Sequence, residues 1–169
     1  AGFQKALELG ADWVVQMDAD LSHLPQYIPA MLEQLSTYDV VVASRYVVGG
    51  GSDDSWGLKR RVLSRIGNFY TKIASGVCLK DPRSGFKGYR REVLENIGLT
   101  CLRSKGFIFQ TEVAARCQQQ GSRVTEVPIM FYDRKEGQSK ISLAIIFEAI
   151  WRLPLLRWQF KISSGRNHT

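Results

Sequence analysis

The sequence predicts an α/β fold on a parallel sheet, because helical and extended patterns alternate along the chain and because 44% hydrophobic residues in 169 suit one globular domain. Helix, strand, helix, strand is the rhythm of a parallel sheet joined by crossover helices.

Ala1 to Leu9 places Phe3, Ala6 and Leu7 at helical spacing, and Gly10 closes the segment as a C-cap would. Trp13-Val14-Val15-Gln16-Met17 reads as a buried strand. Pro25 near a helix start, with Ile28, Met31, Leu32 and Leu35, predicts a helix over about 25 to 36, and Val40-Val41-Val42-Ala43 a second strand. The Gly-rich polar stretch between Arg45 and Gly57, with Gly49-Gly50-Gly51, is a long loop and a candidate lid. Residues 58 to 75 are helical by periodicity: Val62, Ile66, Phe69 and Ile73 make one apolar face, and Lys59, Arg60, Arg61, Arg65 and Lys72 make much of the remainder cationic. Gly85 to Tyr89 reads as a strand, Glu92 to Ile97 as a short helix and 107 to 119 as another. Val124 to Phe131 resembles an edge strand, because Pro128 interrupts its hydrogen bonding. Residues 141 to 151 are apolar apart from Glu148, and 152 to 162 mix Leu, Trp, Phe and Ile with Arg152, Arg157 and Lys161. Pro154 is expected to kink or break a helix there. Two readings fit this tail: amphipathic segments with Trp151 and Trp158 at a lipid interface, or packing against the fold.

A formal charge of +7 suits phosphate-bearing partners, whether nucleic acid, a sugar nucleotide or an anionic membrane, and does not choose among them. Cys78, Cys101 and Cys117 are odd in number and lack metal-ligand spacing, which suggests inert thiols in a reducing compartment. No signal peptide and no apolar run of the roughly 20 residues that cross a bilayer is visible, so the expectation is a soluble or membrane-surface protein. The chain opens inside a helical pattern without an initiator Met, which suggests a missing N-terminal part.

Asp18 and Asp20 follow the first strand directly, at the carboxyl end where open α/β sheets bind ligands. Residues i and i+2 of an extended segment point the same way, so the two carboxylates can converge on one divalent cation and a diphosphate, the chemistry of Mg2+ or Mn2+. Such a cation neutralises charge on a departing nucleoside diphosphate. A lone Asp-x-Asp also arises by chance or for structure, and the neighbouring motifs have to decide.

Those motifs, in chain order, are Asp18-Ala19-Asp20-Leu21-Ser22-His23, Ser44-Arg45-Tyr46, Trp56 with Lys59-Arg60-Arg61 and Ser64, Asp81-Pro82-Arg83-Ser84-Gly85-Phe86, Lys105-Gly106-Phe107-Ile108-Phe109-Gln110-Thr111-Glu112, Glu126-Val127-Pro128-Ile129, and Asp133-Arg134 with Gly137-Gln138-Ser139-Lys140. Together they resemble the dolichol-phosphate (polyprenyl-phosphate) mannose synthase group of the family 2 glycosyltransferases across nearly the whole chain. The resemblance implies a Rossmann-like A-type glycosyltransferase fold lacking its N-terminal βαβ unit, with residues 1 to 140 as the catalytic domain and 141 to 169 as an apolar amphipathic tail. The absent unit carries a Pro-Thr-Tyr-Asn-Glu type motif in relatives and forms most of the base and ribose pocket; a sheet without it exposes unpaired edges.

The resemblance also implies roles. Asp18 and Asp20 hold the metal and the donor diphosphate; some relatives have Gln as a further ligand where this chain has Ser22, so a hydroxyl or a water fills that place. Arg45, Arg60 and Ser64 match positions that bind the acceptor phosphate, and a guanidinium fork suits phosphate oxygens. Arg134 and Lys140 fall to the donor diphosphate, with Lys105 and Gln110 on the same side. His23 reads as a loop histidine rather than a base, and Glu112 as either an acid near the site or a structural residue. The implied activity moves mannose from GDP-mannose to a dolichyl or other polyprenyl phosphate, with inversion, on the cytoplasmic face of a membrane. A membrane-anchoring partner subunit is compatible with it. Competing readings are a transferase using UDP-glucose or another UDP-sugar, a hydroxyl acceptor, a degenerate membrane-docking partner, and a basic nucleic-acid-binding module. No basic and aromatic interleaving supports the last.

Overall fold

The computed structural model describes residues 1–53, 57–104, 106–132 and 143–166, with the backbone alone for 107, 143–146 and 159–166. Helix α1 (Gly2–Glu8) leads into β1 (Trp13–Gln16), α2 (Ile28–Leu35) and β2 (Val40–Ser44). A short β3 (Gly51–Ser52) precedes α3 (Leu58–Ser75), and then come β4 (Lys87–Arg90), α4 (Arg91–Asn96), α5 (Gly106–Gln119), β5 (Val124–Pro128), β6 (Met130–Phe131) and α6 (Leu143–Arg166).

The main sheet runs β1-β4-β2-β5, and only β2 and β5 are parallel neighbours. β4 lies antiparallel between β1 and β2, so the sheet is mixed and not parallel throughout, although β1, β2 and β5 share one direction as expected. This insertion matters chemically. An antiparallel strand begins where its neighbours end, so the segment before β4, residues 81 to 86, arrives at the same edge as the ends of β1 and β2.

Every residue of β2 is buried, because both faces of this inner strand are covered. Side chains alternate: Val40 and Val42 pack with Tyr89, Leu94 and Val113 on the α4 and α5 face, while Val41 and Ala43 pack with Met31, Leu35 and Phe86 on the α2 face. A third cluster, Ile108, Ala149, Leu153 and Leu156, seats α6 against α5 and α3.

The strand expected over 124 to 131 divides at Ile129. Pro128 has no N–H, Ile129 N–H donates to the Ser44 carbonyl (3.1 Å), and the Ile129 carbonyl accepts from Gly51 N–H (2.9 Å), so the chain passes there from the main sheet to the β3–β6 pair. The loop over 45 to 57 is therefore partly tied down. Gly50 passes so close to β2 that a Cβ there would stand 2.5 Å from the Ser44 carbonyl oxygen.

Two helices differ from expectation. α3 has the predicted bounds, yet its buried residues are Asn68, Thr71 and Ser75, and the apolar stripe faces outward. α6 runs through Pro154 without a break. No described helix is long and apolar enough to cross a membrane, and all three cysteines are free.

Candidate active site

The site gathers where β1 and β2 end and β4 begins. Asp18 leaves β1 with its side chain half-exposed, and its carboxylate lies over Gly85: a Cβ on that glycine would stand 3.1 Å from Oδ1 and 3.2 Å from Oδ2. Asp20 opens a tight turn in which Leu21 takes a left-handed φ of 63°. An ordinary residue in that region carries strain, which the turn offsets with two bonds: Ser22 N–H donates to Asp20 Oδ1 at 3.1 Å, and so does the Ser22 hydroxyl. Ser22 is fully buried, so as placed it braces Asp20.

His23 is the hub. It is 3% exposed, with its ring 5.1 Å from that of Phe86 and edge-on to Phe131 at 5.3 Å. Its Nδ1 accepts from the Asp18 backbone N–H at 3.2 Å, which requires a lone pair on Nδ1. Burial lowers the His23 pKa, against the upward pull of Asp18, and favours that neutral form. The Phe131 ring that His23 meets also carries the Arg45 guanidinium at 5.2 Å, so His23 links the Asp18 backbone to the cluster that holds Arg45.

Arg45 continues from the end of β2 into a fork with Asp81: Nε to Oδ2 at 2.7 Å and Nη2 to Oδ1 at 3.0 Å. Asp81 is fully buried and also accepts from Arg45 N–H. Burial works against the charge on Arg45, and Asp81 more than restores it, so its pKa lies above the ordinary value. Its guanidinium lies 5.2 Å from the centre of the Phe131 ring and 5.3 Å from that of Tyr46. The Tyr46 hydroxyl meets the Ser64 hydroxyl at 2.9 Å, which joins α3 to the end of β2. Arg83 completes this group, donating from Nη2 to the Ser64 carbonyl at 2.9 Å. Burial and the nearby Arg45 charge lower its pKa, and its Nε is buried without a partner among the described residues.

Of the other sequence candidates, Arg60 is exposed in the first turn of α3, one turn before Ser64 and on the same side. Lys105, Arg134 and Lys140 lie outside the described residues, as does Trp56. Gln110 is buried, and its carbonyl accepts from the Lys87 ammonium. Glu112 is buried too: burial raises its pKa, but bonds from Ser104, Arg116 and Arg103 outweigh that and leave it below the ordinary value. Those bonds give it a structural place, tying the 103 to 104 segment to α5.

The sequence alone gives Asp81, Arg83, Tyr46 and Gly85 no individual role, and His23 lies in a loop as expected, but buried. The available signal was a turn-forming run, Asp81-Pro82-Arg83-Ser84-Gly85, carrying both charges just ahead of a strand. As to a cation, two hard oxygen donors suit Mg2+ or Mn2+, and no group of three His, Cys, Asp or Glu that could hold a metal is present among the described residues. Asp18 and Asp20 are the residues that would hold such a cation.

The model of glycosyl transferase family 2 matches residues 2–98. The chain is 40% identical over 158 residues to the undecaprenyl-phosphate mannosyltransferase of Micrococcus luteus, covering 94% of this chain and 64% of that protein. It is 40% identical over 154 residues to the polyprenol monophosphomannose synthase of Mycolicibacterium smegmatis, covering 90% of this chain and 58% of that one. The chain thus spans about three-fifths of the length of these curated relatives, at 64% and 58%. The mixed α/β architecture, the carboxylate pair at the sheet edge and these matches lead to one conclusion: the chain belongs to glycosyl transferase family 2.

Proposed function

We propose that this chain is the catalytic part of an enzyme that transfers mannose from GDP-mannose to a polyprenyl phosphate, with inversion at the sugar and with Mg2+ or Mn2+. The observation that carries the reading is that the carboxylate end, where His23 Nδ1 accepts the Asp18 N–H, and the cationic end, Arg45, meet on one aromatic ring, with His23 and the Arg45 guanidinium both packed on Phe131. The names of both relatives, an undecaprenyl-phosphate mannosyltransferase and a polyprenol monophosphomannose synthase, support the acceptor class.

A phosphate acceptor is already ionised at neutral pH and needs no general base. It needs fixed positive charge and alignment. Asp81 locks the Arg45 fork and so presents the remaining N–H donors in one orientation. Ser64 and Arg60, a turn apart on α3, extend the acceptor contacts, with Arg83 beside Ser64. Asp18 and Asp20 hold the donor diphosphate, and the divalent cation, when bound, neutralises the leaving charge. Lys105, Arg134 and Lys140 keep the donor-side role that the resemblance implies. A single in-line displacement then inverts the anomeric centre. His23, whose Nδ1 takes the Asp18 N–H, positions the motif and is not a base. Because the acceptor is a lipid, the enzyme works peripherally at the cytoplasmic face of a membrane, with or without an anchoring partner subunit.

The test is to incubate the full-length protein with labelled GDP-mannose, polyprenyl phosphate and Mg2+ or Mn2+. Label is expected in the lipid extract and is lost with EDTA or in Asp20→Ala. Unlabelled lipid, full activity of Asp20→Ala, or preference for UDP-glucose in a donor panel would overturn the reading or its donor.

A further inference from the structure

Arg83 carries a charge that no acid among the described residues balances by bonding to it. Asp81 stands in the same turn, but both of its oxygens are taken by Arg45. Arg83 Nη2 donates instead to the Ser64 carbonyl at 2.9 Å and lies 3.5 Å from the Ser64 hydroxyl oxygen, and both partners are neutral. Its buried Nε–H has no acceptor among the described residues. Two guanidiniums and one carboxylate leave one positive charge over, where burial and the Arg45 charge both work against it.

The fold fixes this side chain at both ends. Its turn is pinned: the Glu126 carboxylate accepts from Lys80 and Asp81 N–H at 2.8 and 3.0 Å, and the Lys87 ammonium donates to the Pro82 carbonyl at 3.2 Å. At the far end, α3 carries Gly67 in its interior, at a cost of about 1 kcal/mol relative to alanine. A Cβ there would stand 3.1 Å from Arg83 Nη1, so the glycine is where the guanidinium lies on the helix.

The hydroxyls of α3 show what Arg83 does to Ser64. Thr71 and Ser75 donate back to the carbonyls four residues earlier, Gly67 and Thr71, as helical hydroxyls can. Ser64 is drawn off the helix, 2.9 Å from the Tyr46 hydroxyl and within reach of Arg83. A guanidinium only donates, so it occupies a lone pair of the Ser64 oxygen and leaves the Ser64 proton for Tyr46 or for an incoming oxygen.

Charge decides which phosphate suits the surplus. A phosphomonoester bears up to two negative charges at neutral pH and a diester one. Attraction to a fixed cation scales with the charge of the ligand, so the monoester gains more from Arg83.

We infer that Arg83 is a specificity-determining residue of this site, a second guanidinium beside Ser64 that makes the site prefer a doubly charged phosphomonoester to a singly charged phosphodiester. This rests on the proposed phosphate acceptor. Sugar transfer turns a monoester into a diester, so Arg83 then holds the product less tightly than the acceptor it came from.

Calorimetric titration of the full-length protein at about pH 8 and without metal compares citronellyl phosphate, a dianion there, with its monomethyl ester, a monoanion. The parent is expected to bind the monoester about tenfold more tightly. Arg83→Gln is expected to weaken the monoester about tenfold and the methyl ester less than about twofold, while Arg83→Lys, which keeps the charge, retains most of the preference. The bulk of the methyl group acts alike in every variant, so the difference between them reads charge. In isotope-labelled parent, the magnetic resonance signal of the Arg83 Nε–H, assigned by its loss in Arg83→Lys, is expected to move further with the monoester than with the methyl ester. That readout decides the matter if thermal melts show Arg83→Gln unfolded. Equal weakening of both ligands by Arg83→Gln, the mark of a bracing role alone, overturns the inference, as does an unchanged preference or an Nε–H signal that neither ligand moves. If the parent prefers the monoester, Arg83→Gln abolishes that preference, and no labelled sugar reaches polyprenyl phosphate, the proposed function fails and the role of Arg83 stands. If the parent binds neither ligand, both fail.

Discussion

The Tyr70 hydroxyl donates to the Ile150 carbonyl at 2.6 Å, the carbonyl four residues before Pro154 that a proline cannot serve. One side chain of α3 thereby supplies the donor that α6 lacks, and the helix continues through its proline. Tyr70→Phe is expected to lower stability by about 1 kcal/mol or less, since the bond is exposed to solvent. In a Pro154→Ala background, where the helix regains its own N–H, the same change is expected to cost nearly nothing. Denaturant unfolding of the four proteins in the double-mutant cycle measures the difference.

Gly85→Ala tests the room left for the Asp18 carboxylate. The glycine has no left-handed φ, so alanine fits the backbone, but its Cβ would press on both carboxylate oxygens. Transfer activity is expected to fall about tenfold with the melting temperature nearly unchanged, because a small misplacement of a reacting group is costly in rate. Activity equal to the parent would show that Asp18 needs no such room.

His23→Asn keeps an acceptor near the position of Nδ1, and His23→Phe removes it. If this bond positions Asp18, the asparagine variant is expected to keep affinity for GDP with Mn2+ within a few-fold, and the phenylalanine variant to lose about tenfold. Calorimetric titration reads both, with thermal melts to separate misfolding.

Arg45→Lys keeps the charge and removes the fork, leaving one oxygen of the buried Asp81 without its charged donor. A loss of stability of about 1 to 3 kcal/mol is expected together with loss of transfer. Unfolding midpoints and initial rates measure the two effects.

Lys87 predicts a pH dependence away from the reaction. Its ammonium is fully buried, donates to the Pro82 and Gln110 carbonyls, and has its pKa lowered from 10.5 to about 8 by burial. Between these values the unfolded chain holds a proton that the folded one has released, so this group's contribution to stability rises with pH through that window and falls away as pH drops to about 8. The rise is on the order of 3 kcal/mol. Lys87→Met is expected to flatten it in urea unfolding at successive pH values.

The sequence by itself determined the elements and their bounds where spacing carries the signal. The 3.6-residue period over 58 to 75 matches α3, the apolar run at Val40 matches β2, and Asp18 and Asp20 stand at the end of a strand. Family membership was legible for the same reason, since motif order survives without coordinates. Tertiary structure alone decided three things. A strand's side-chain pattern does not name its neighbour, so only the assembled sheet shows β4 between β1 and β2, which delivers Asp81 and Arg83 to the edge with Asp18 and Arg45. Periodicity identifies an apolar face but not what that face meets: α3 turns its stripe outward, with Ser64 and Asn68 bonding Tyr46 and the Lys80 carbonyl on the inner side while Thr71 and Ser75 bond carbonyls of their own helix. A proline's local penalty is a property of the helix, but its relief at Ile150 comes from a hydroxyl 80 residues earlier in the chain, a distance across which local sequence carries no signal.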